Sequence, residues 1–96
     1  MGFEEIWERI ERHAGETFYQ LGGKTFRYQV DGVSLLPSTA EQGIPRGTFE
    51  RIHALGAIPG PRRLREMGIQ DAAFIFSILT DPRIARRERS GGTGSA

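Results

Sequence analysis

Arginine is the side chain best placed to do chemistry in this 96-residue chain, because twelve of the thirteen basic residues are arginine. Arg46 and Arg51 flank one predicted helix, Arg62, Arg63 and Arg65 cluster at another, and Arg83, Arg86, Arg87 and Arg89 follow the last apolar run. A guanidinium is a planar fork of donors that grips phosphate or carboxylate, and phosphate is what a nucleic-acid backbone offers. Arg46 and Arg62 also stand beside expected helix starts, where backbone N–H groups add donors. Glu50, Glu66, Asp71, Asp81 and Glu88 are interleaved with these arginines. The chain's pI of about 8.3 lies below the mark of roughly 9 usual for nucleic-acid binders. A solvated, ion-paired surface therefore competes with phosphate contact as the explanation of each arginine.

Other reactive residue types are thinly spread. His13 and His53 are the two histidines and fall on separate helical segments. Neither has a second ligand at helical metal spacing apart from Glu16 near His13, and neither has a positioned partner for proton transfer. A helix-end imidazole answering the dipole accounts for His13, and a place at the core boundary accounts for His53. Gly23-Lys24-Thr25 matches the end of a phosphate-binding loop, but that motif needs a glycine where Phe18 stands and a helix afterwards. A hairpin turn with an edge lysine fits better. The glutamates near the N-terminus read as a solvated face rather than a hydrolytic pair, and no serine sits in a nucleophile elbow. No catalytic residue, metal site or cofactor is expected.

Composition bounds the class. Cysteine is absent, which removes disulfides, thiolate zinc sites and thiol catalysis and fits a reducing compartment. No apolar run reaches the roughly 18–20 residues of a membrane span, and the basic region of a secretion signal is missing, so a cytoplasmic location is expected with no membrane partner. The net charge of +1 is unevenly placed. Residues 1–16 carry five acids against Arg9 and Arg12, whereas residues 44–96 carry nine arginines against five acids.

Positioning these groups falls to a small set of elements. Phe3, Ile6, Trp7 and Ile10 recur at helical spacing, with Glu5–Arg9 and Glu8–Arg12 as i,i+4 pairs on the other face, so an amphipathic helix is expected over 3–14. Residues 17 to 36 read as a three-stranded antiparallel meander, 17–21, 24–30 and 33–36, turning at Gly22-Gly23 and Asp31-Gly32. Two-residue turns there pair Tyr19 with Phe26 and Tyr28 with Leu35. They put Tyr19, Leu21, Phe26, Tyr28, Val30, Val33 and Leu35 on the inner face, with Arg27 and Gln29 outside. Pro45 suits a first helical position, with Phe49, Ile52 and Leu55 as a stripe ending at Gly56. Pro61 opens another short helix closed by Gly68. Residues 69–80 are apolar nearly all round, which predicts a helix buried on several sides or meeting a partner, and Asp81-Pro82 stops it.

The expected class is therefore α+β: an N-terminal amphipathic helix packed on a three-stranded antiparallel meander, followed by two or three short helices, in the order α-β-β-β-α-α-α. Residues 1–85 form the expected single domain, with 86–96 a disordered charged and then Gly/Ser-rich tail. The order helix, three-strand meander, helix is similar to the double-stranded-RNA-binding domain, which reads shape and backbone. The lysine cluster at the start of that family's second helix has no counterpart, since Ile44, Pro45, Arg46 and Gly47 stand there, so no residue roles are carried over. The functional expectation is a small non-enzymatic binding module contacting DNA or RNA through Arg46, Arg51, Arg62, Arg63, Arg65, Arg83, Arg86 and Arg87. The alternative is a protein-interaction or homodimerisation domain using helix 69–80 with Phe18 and Leu36.

Overall fold

The computed structural model describes residues 2–85, and the expected tail, with Arg86 and Arg87, lies outside the described residues. The chain runs α1 (Phe3–Arg12), β1 (Phe18–Tyr19), β2 (Thr25–Phe26), β3 (Tyr28–Val30), β4 (Ser34–Pro37), β5 (Ile44–Pro45), α2 (Arg46–His53), α3 (Pro61–Glu66), α4 (Ala72–Thr80) and α5 (Pro82–Ala85). It is a small α+β fold with an N-terminal helix, a three-stranded antiparallel sheet and several short helices.

The strands pair differently from the sequence expectation. β1 and β2 form a hairpin of their own, while the three-stranded sheet is β3-β4-β5. The break falls at Arg27, whose N–H goes to the Ser38 hydroxyl at 3.0 Å while its carbonyl accepts the Ser38 N–H at 2.7 Å. Ser38 thereby takes over the backbone groups that would have continued one long strand. β5, which supplies the third strand, escaped notice because Pro45 cannot donate to a ladder and suits only a sheet edge.

In the first hairpin Phe18 pairs with Phe26 and Tyr19 with Thr25, one residue out of the predicted register. Either primed two-residue turn needs φ > 0 at its first central position, which would be Gly22, but of the two glycines only Gly23, at φ 93°, has it. The loop is three residues, Leu21-Gly22-Gly23, closed by Gln20 N–H to the Lys24 carbonyl at 2.8 Å. A slip of one residue exchanges the two faces. Phe18 is fully buried, and Tyr19 and Leu21 are 64% and 75% exposed. The exchange has a chemical advantage: Phe18 packs on Tyr28 and Phe26 without stranding a hydroxyl, as a buried Tyr19 would without a partner.

In the second hairpin Val30 pairs with Leu35 and Tyr28 with Pro37, a shift of two residues that leaves the faces unchanged. The turn is Gly32-Val33, with Gly32 at φ 100° in the first central position, the place where a type II′ turn requires glycine. The Asp31 carboxylate accepts the Val33 and Ser34 N–H groups at 3.1 and 2.9 Å, which selects this turn over Asp31-Gly32. Those bonds hold the Asp31 carboxyl below its ordinary range. Val33, expected inside, sits at the tip in solvent, while Phe26, Tyr28 and Leu35 are buried and Arg27 and Gln29 exposed, as predicted.

The helices close the core. α1 presents Ile6, Trp7 and Ile10 to α2 and α5 as well as to the strands, where the Tyr28 hydroxyl donates to the Ile10 carbonyl at 2.6 Å. α4 packs against α2, α3, α5 and β1, which accounts for its apolar residues nearly all round. Phe74 makes an edge contact with Phe26 at 5.0 Å. α3 ends as a Schellman motif, Gly68 at φ 90° with Ile69 N–H to the Leu64 carbonyl at 3.0 Å. Asp81 caps α5 through the Arg83 N–H at 2.9 Å, with Pro82 at the first helical position.

Candidate nucleic-acid interface

Two of the predicted arginines tie the fold together. Arg83 reaches from α5 to the start of β1 and engages all three of its side-chain nitrogens. Nε and Nη2 meet the two Asp81 carboxylate oxygens at 2.9 and 3.0 Å, Nη1 meets Glu16 at 2.9 Å, and Nη2 also meets the Thr17 carbonyl at 2.9 Å. Its guanidinium carbon lies 3.8 Å from the centre of the Phe18 ring, a cation–π contact that depends on Phe18 facing inward. The hydrogen bonds that Arg83 donates to Asp81 hold its proton more tightly than usual. In return Glu16 titrates low, first through the His13 contact and then through Arg83. Burial alone would raise the Asp81 carboxyl, but the Arg83 bonds prevail and lower it. Arg46 plays a similar part at the other end of α1: it meets Glu4 at 2.6 Å and lies over the Phe3 and Trp7 rings at 5.5 and 5.7 Å.

Arg9, expected on the solvent face, is also structural. It is buried and donates to the Ile84 carbonyl at 3.0 Å, joining α1 to α5. The histidines match their modest expectations. His13 Nδ1 lies 3.0 Å from the Glu16 carboxylate, and His53 sits half-buried against the Phe3 ring. Gly23-Lys24-Thr25 is the end of the first hairpin loop and runs into β2.

The remaining predicted arginines behave otherwise. Arg62, Arg63 and Arg65 are exposed on α3, and Glu66 is the carboxylate that Arg62 and Arg63 share, at 4.0 and 3.4 Å. Arg65, like Arg51 on α2, has no carboxylate partner among the described residues. The Schellman closure after Met67 ends α3, and the three guanidiniums project from this short helix.

Beside them runs a groove of about 400 Å³ between the first hairpin loop and the helices. Gln20, Leu21 and Gly22 line one wall, Pro61, Arg62 and Arg65 the other, with Ala73 of α4 at the end. Sequence reading missed this wall because it placed Leu21 in the core. The usable signal was the pair Gly22-Gly23, which equally permits a three-residue loop with the preceding leucine at its tip.

The surface expected for a protein partner is mostly buried. Phe18 is enclosed, and α4 turns Ala72, Ile75, Ile78 and Leu79 into the core, with Phe74 and Phe76 half-buried. Of the residues that reading relies on, Leu36 stays in solvent. Among the described residues, no three acidic or histidine side chains gather as a metal set, and no helix is long and apolar enough to cross a membrane. Compared with known proteins, the chain matches no family model, no curated protein and no solved structure.

Proposed function

We propose that this protein is a small non-enzymatic binding module that contacts a nucleic-acid backbone through the α3 face. The observation that carries this reading is the group Arg62, Arg63 and Arg65: three exposed guanidiniums on one short helix, with the carboxylate of Glu66 near two of them. Exposed ion pairs at these distances contribute little to stability, so the cluster is poorly explained as a folding device. Phosphate contact uses what is left over, namely unpaired donors in forks that match two oxygens. Arg51 is a further exposed contributor, whereas Arg46 and Arg83 support the fold instead.

The test is the salt dependence of oligonucleotide binding. On duplex DNA the logarithm of affinity should fall against the logarithm of salt with a slope near −0.9 per phosphate neutralised. Replacing Arg62 and Arg65 with alanine should weaken binding evenly across sequences and flatten the slope by about one unit per lost contact. Glu5→Gln and Glu8→Gln, on the far acidic helix, serve as controls with the slope nearly unchanged. Undetectable binding to DNA and RNA at low salt would end this reading.

A further inference from the structure

The groove beside α3 has the wrong walls for a duplex and the right ones for a single strand. A double helix offers phosphates on a convex surface while its bases stay stacked inside, so an apolar recess next to the arginines would give it nothing. A single strand can turn a base outward, as sequence-bearing RNA loops and single-stranded DNA do when their bases stack on protein side chains, guanidinium planes among them. Here Leu21, Pro61 and Ala73 supply the apolar part of the lining, and Gly22 leaves its backbone open to close approach. Leu21 is 75% exposed, so apolar surface stands in water until something covers it. At about 400 Å³ the groove falls within the range of small-ligand sites, roughly 300–1,000 Å³, large enough for one nucleobase and too small for a base-paired step.

The charges agree. Arg62 and Arg65 stand three positions apart on α3, which puts them on one helix face about 5–6 Å apart, over the same wall of the groove. Arg65 has no carboxylate partner among the described residues, and Arg62 has Glu66 at the 4.0 Å limit. Both forks are thus available to oxygens on either side of an inserted base. The Gln20 amide, on the opposite wall, brings one acceptor and two donors to the base edge. We infer that the groove between the first hairpin loop and α3 holds one unpaired base of a single-stranded nucleic acid, with its flanking phosphates on Arg62 and Arg65. This rests on the backbone-contact reading above and narrows it to single strands.

Three probes of equal length separate the possibilities: a single-stranded oligothymidylate, a strand of the same phosphates without bases at its centre, and a mixed-sequence duplex. Measured by fluorescence anisotropy at one salt concentration, the intact strand should bind at least about tenfold tighter than the other two. Ala73→Leu narrows the groove and should bring the intact strand down to the affinity of the abasic one, while duplex binding keeps its value and salt slope. Ala73 is half-buried, so Leu21→Ser, at an exposed loop tip, provides a second variant that cannot act by unfolding the core. Equal affinity for intact and abasic strands, or a base preference that both variants leave unchanged, overturns the inference and spares the backbone reading. If none of the three probes binds, both fall together.

Discussion

Arg83 and Arg62 are the same side chain in opposite circumstances. Arg83 is enclosed by Asp81, Glu16, the Thr17 carbonyl and the Phe18 ring, and its donors are used within the fold. Arg62 is 94% exposed and meets one carboxylate at 4.0 Å. Local sequence does not separate them, since each has an acid close by in the chain. What separates them is topology: α5 is carried to the start of β1, so a glutamate 67 positions away becomes a partner of Arg83. A guanidinium is a fold component where the chain delivers acceptors to it and a candidate contact where the chain does not.

The contrast can be broken most forcefully at Phe18. Phe18→Ala removes a fully buried ring and the surface on which Arg83 rests, and should cost about 3–5 kcal/mol in urea unfolding. Tyr19→Ala, one position on and in solvent, should change stability by no more than about 0.5 kcal/mol. Equal losses at the two positions would return the hairpin to the other register.

Arg83→Ala comes next, with an expected loss of about 2 kcal/mol, discounted from the cost of breaking a fully buried pair because the side chain is 31% exposed. Arg83→Lys keeps the charge but not the fork and should recover less than half of it. A loss within about 0.5 kcal/mol would mean that the clamp is ordinary surface.

Acid should expose the same clamp. Glu16 and Asp81 have carboxyls held low in the folded state, so their contribution is present above the ordinary carboxylate range and is lost as pH falls below about 4 through the folded values. In Arg83→Ala that acid-side slope should flatten. It should not vanish, because Asp31 is held low by the backbone N–H groups of its own turn, away from the clamp. An unchanged slope in chemical denaturation across this pH range would assign the acid sensitivity elsewhere.

The smallest effect sharpens the contrast from the other side. Arg62→Ala and Arg65→Ala should each leave stability within about 0.5 kcal/mol of the parent, since exposed positions rarely do more. A loss above about 1 kcal/mol at either position in the same urea titration would make α3 a second clamp rather than an interface.

Much of this architecture was legible because side-chain periodicity records which face is buried. α1 is written in Phe3, Ile6, Trp7 and Ile10, and the buried set Phe26, Tyr28 and Leu35 in strict alternation. Turn register was less legible, because Gly22-Gly23 and Asp31-Gly32-Val33 each allow two loops and only the finished packing chooses between them. The choice hangs on distant groups: Phe18 goes inward where Arg83 and Tyr28 await it. β5 was invisible, as two residues ending in proline carry no period. The α3 arginines were readable as a cluster, but their groove depended on Leu21 lying at a loop tip. The roles of Arg46 and Arg83 could not be read from their neighbours alone, since Asp81 beside Arg83 is no more telling than Glu66 beside Arg62, and the rings, Glu4 and Glu16 come from other elements.

The bond from Arg9 to the Ile84 carbonyl spans 75 positions of the chain. Seen kinetically, that makes the α1–α5 junction a late event. The β3–β4 hairpin and the α3–α4 pair close short loops, whereas closure entropy grows as about (3/2)RT ln n, so the longest loop gains least from forming early. The seam around Arg9, Ile84 and Arg83 is therefore expected to form on the native side of the folding barrier. Weakening it should steepen escape from the folded state and leave the climb toward it nearly untouched. On a chevron plot Arg83→Ala would raise the unfolding arm and scarcely move the refolding arm. On that expectation the α1–α5 junction governs the lifetime of the folded molecule more than its speed of assembly.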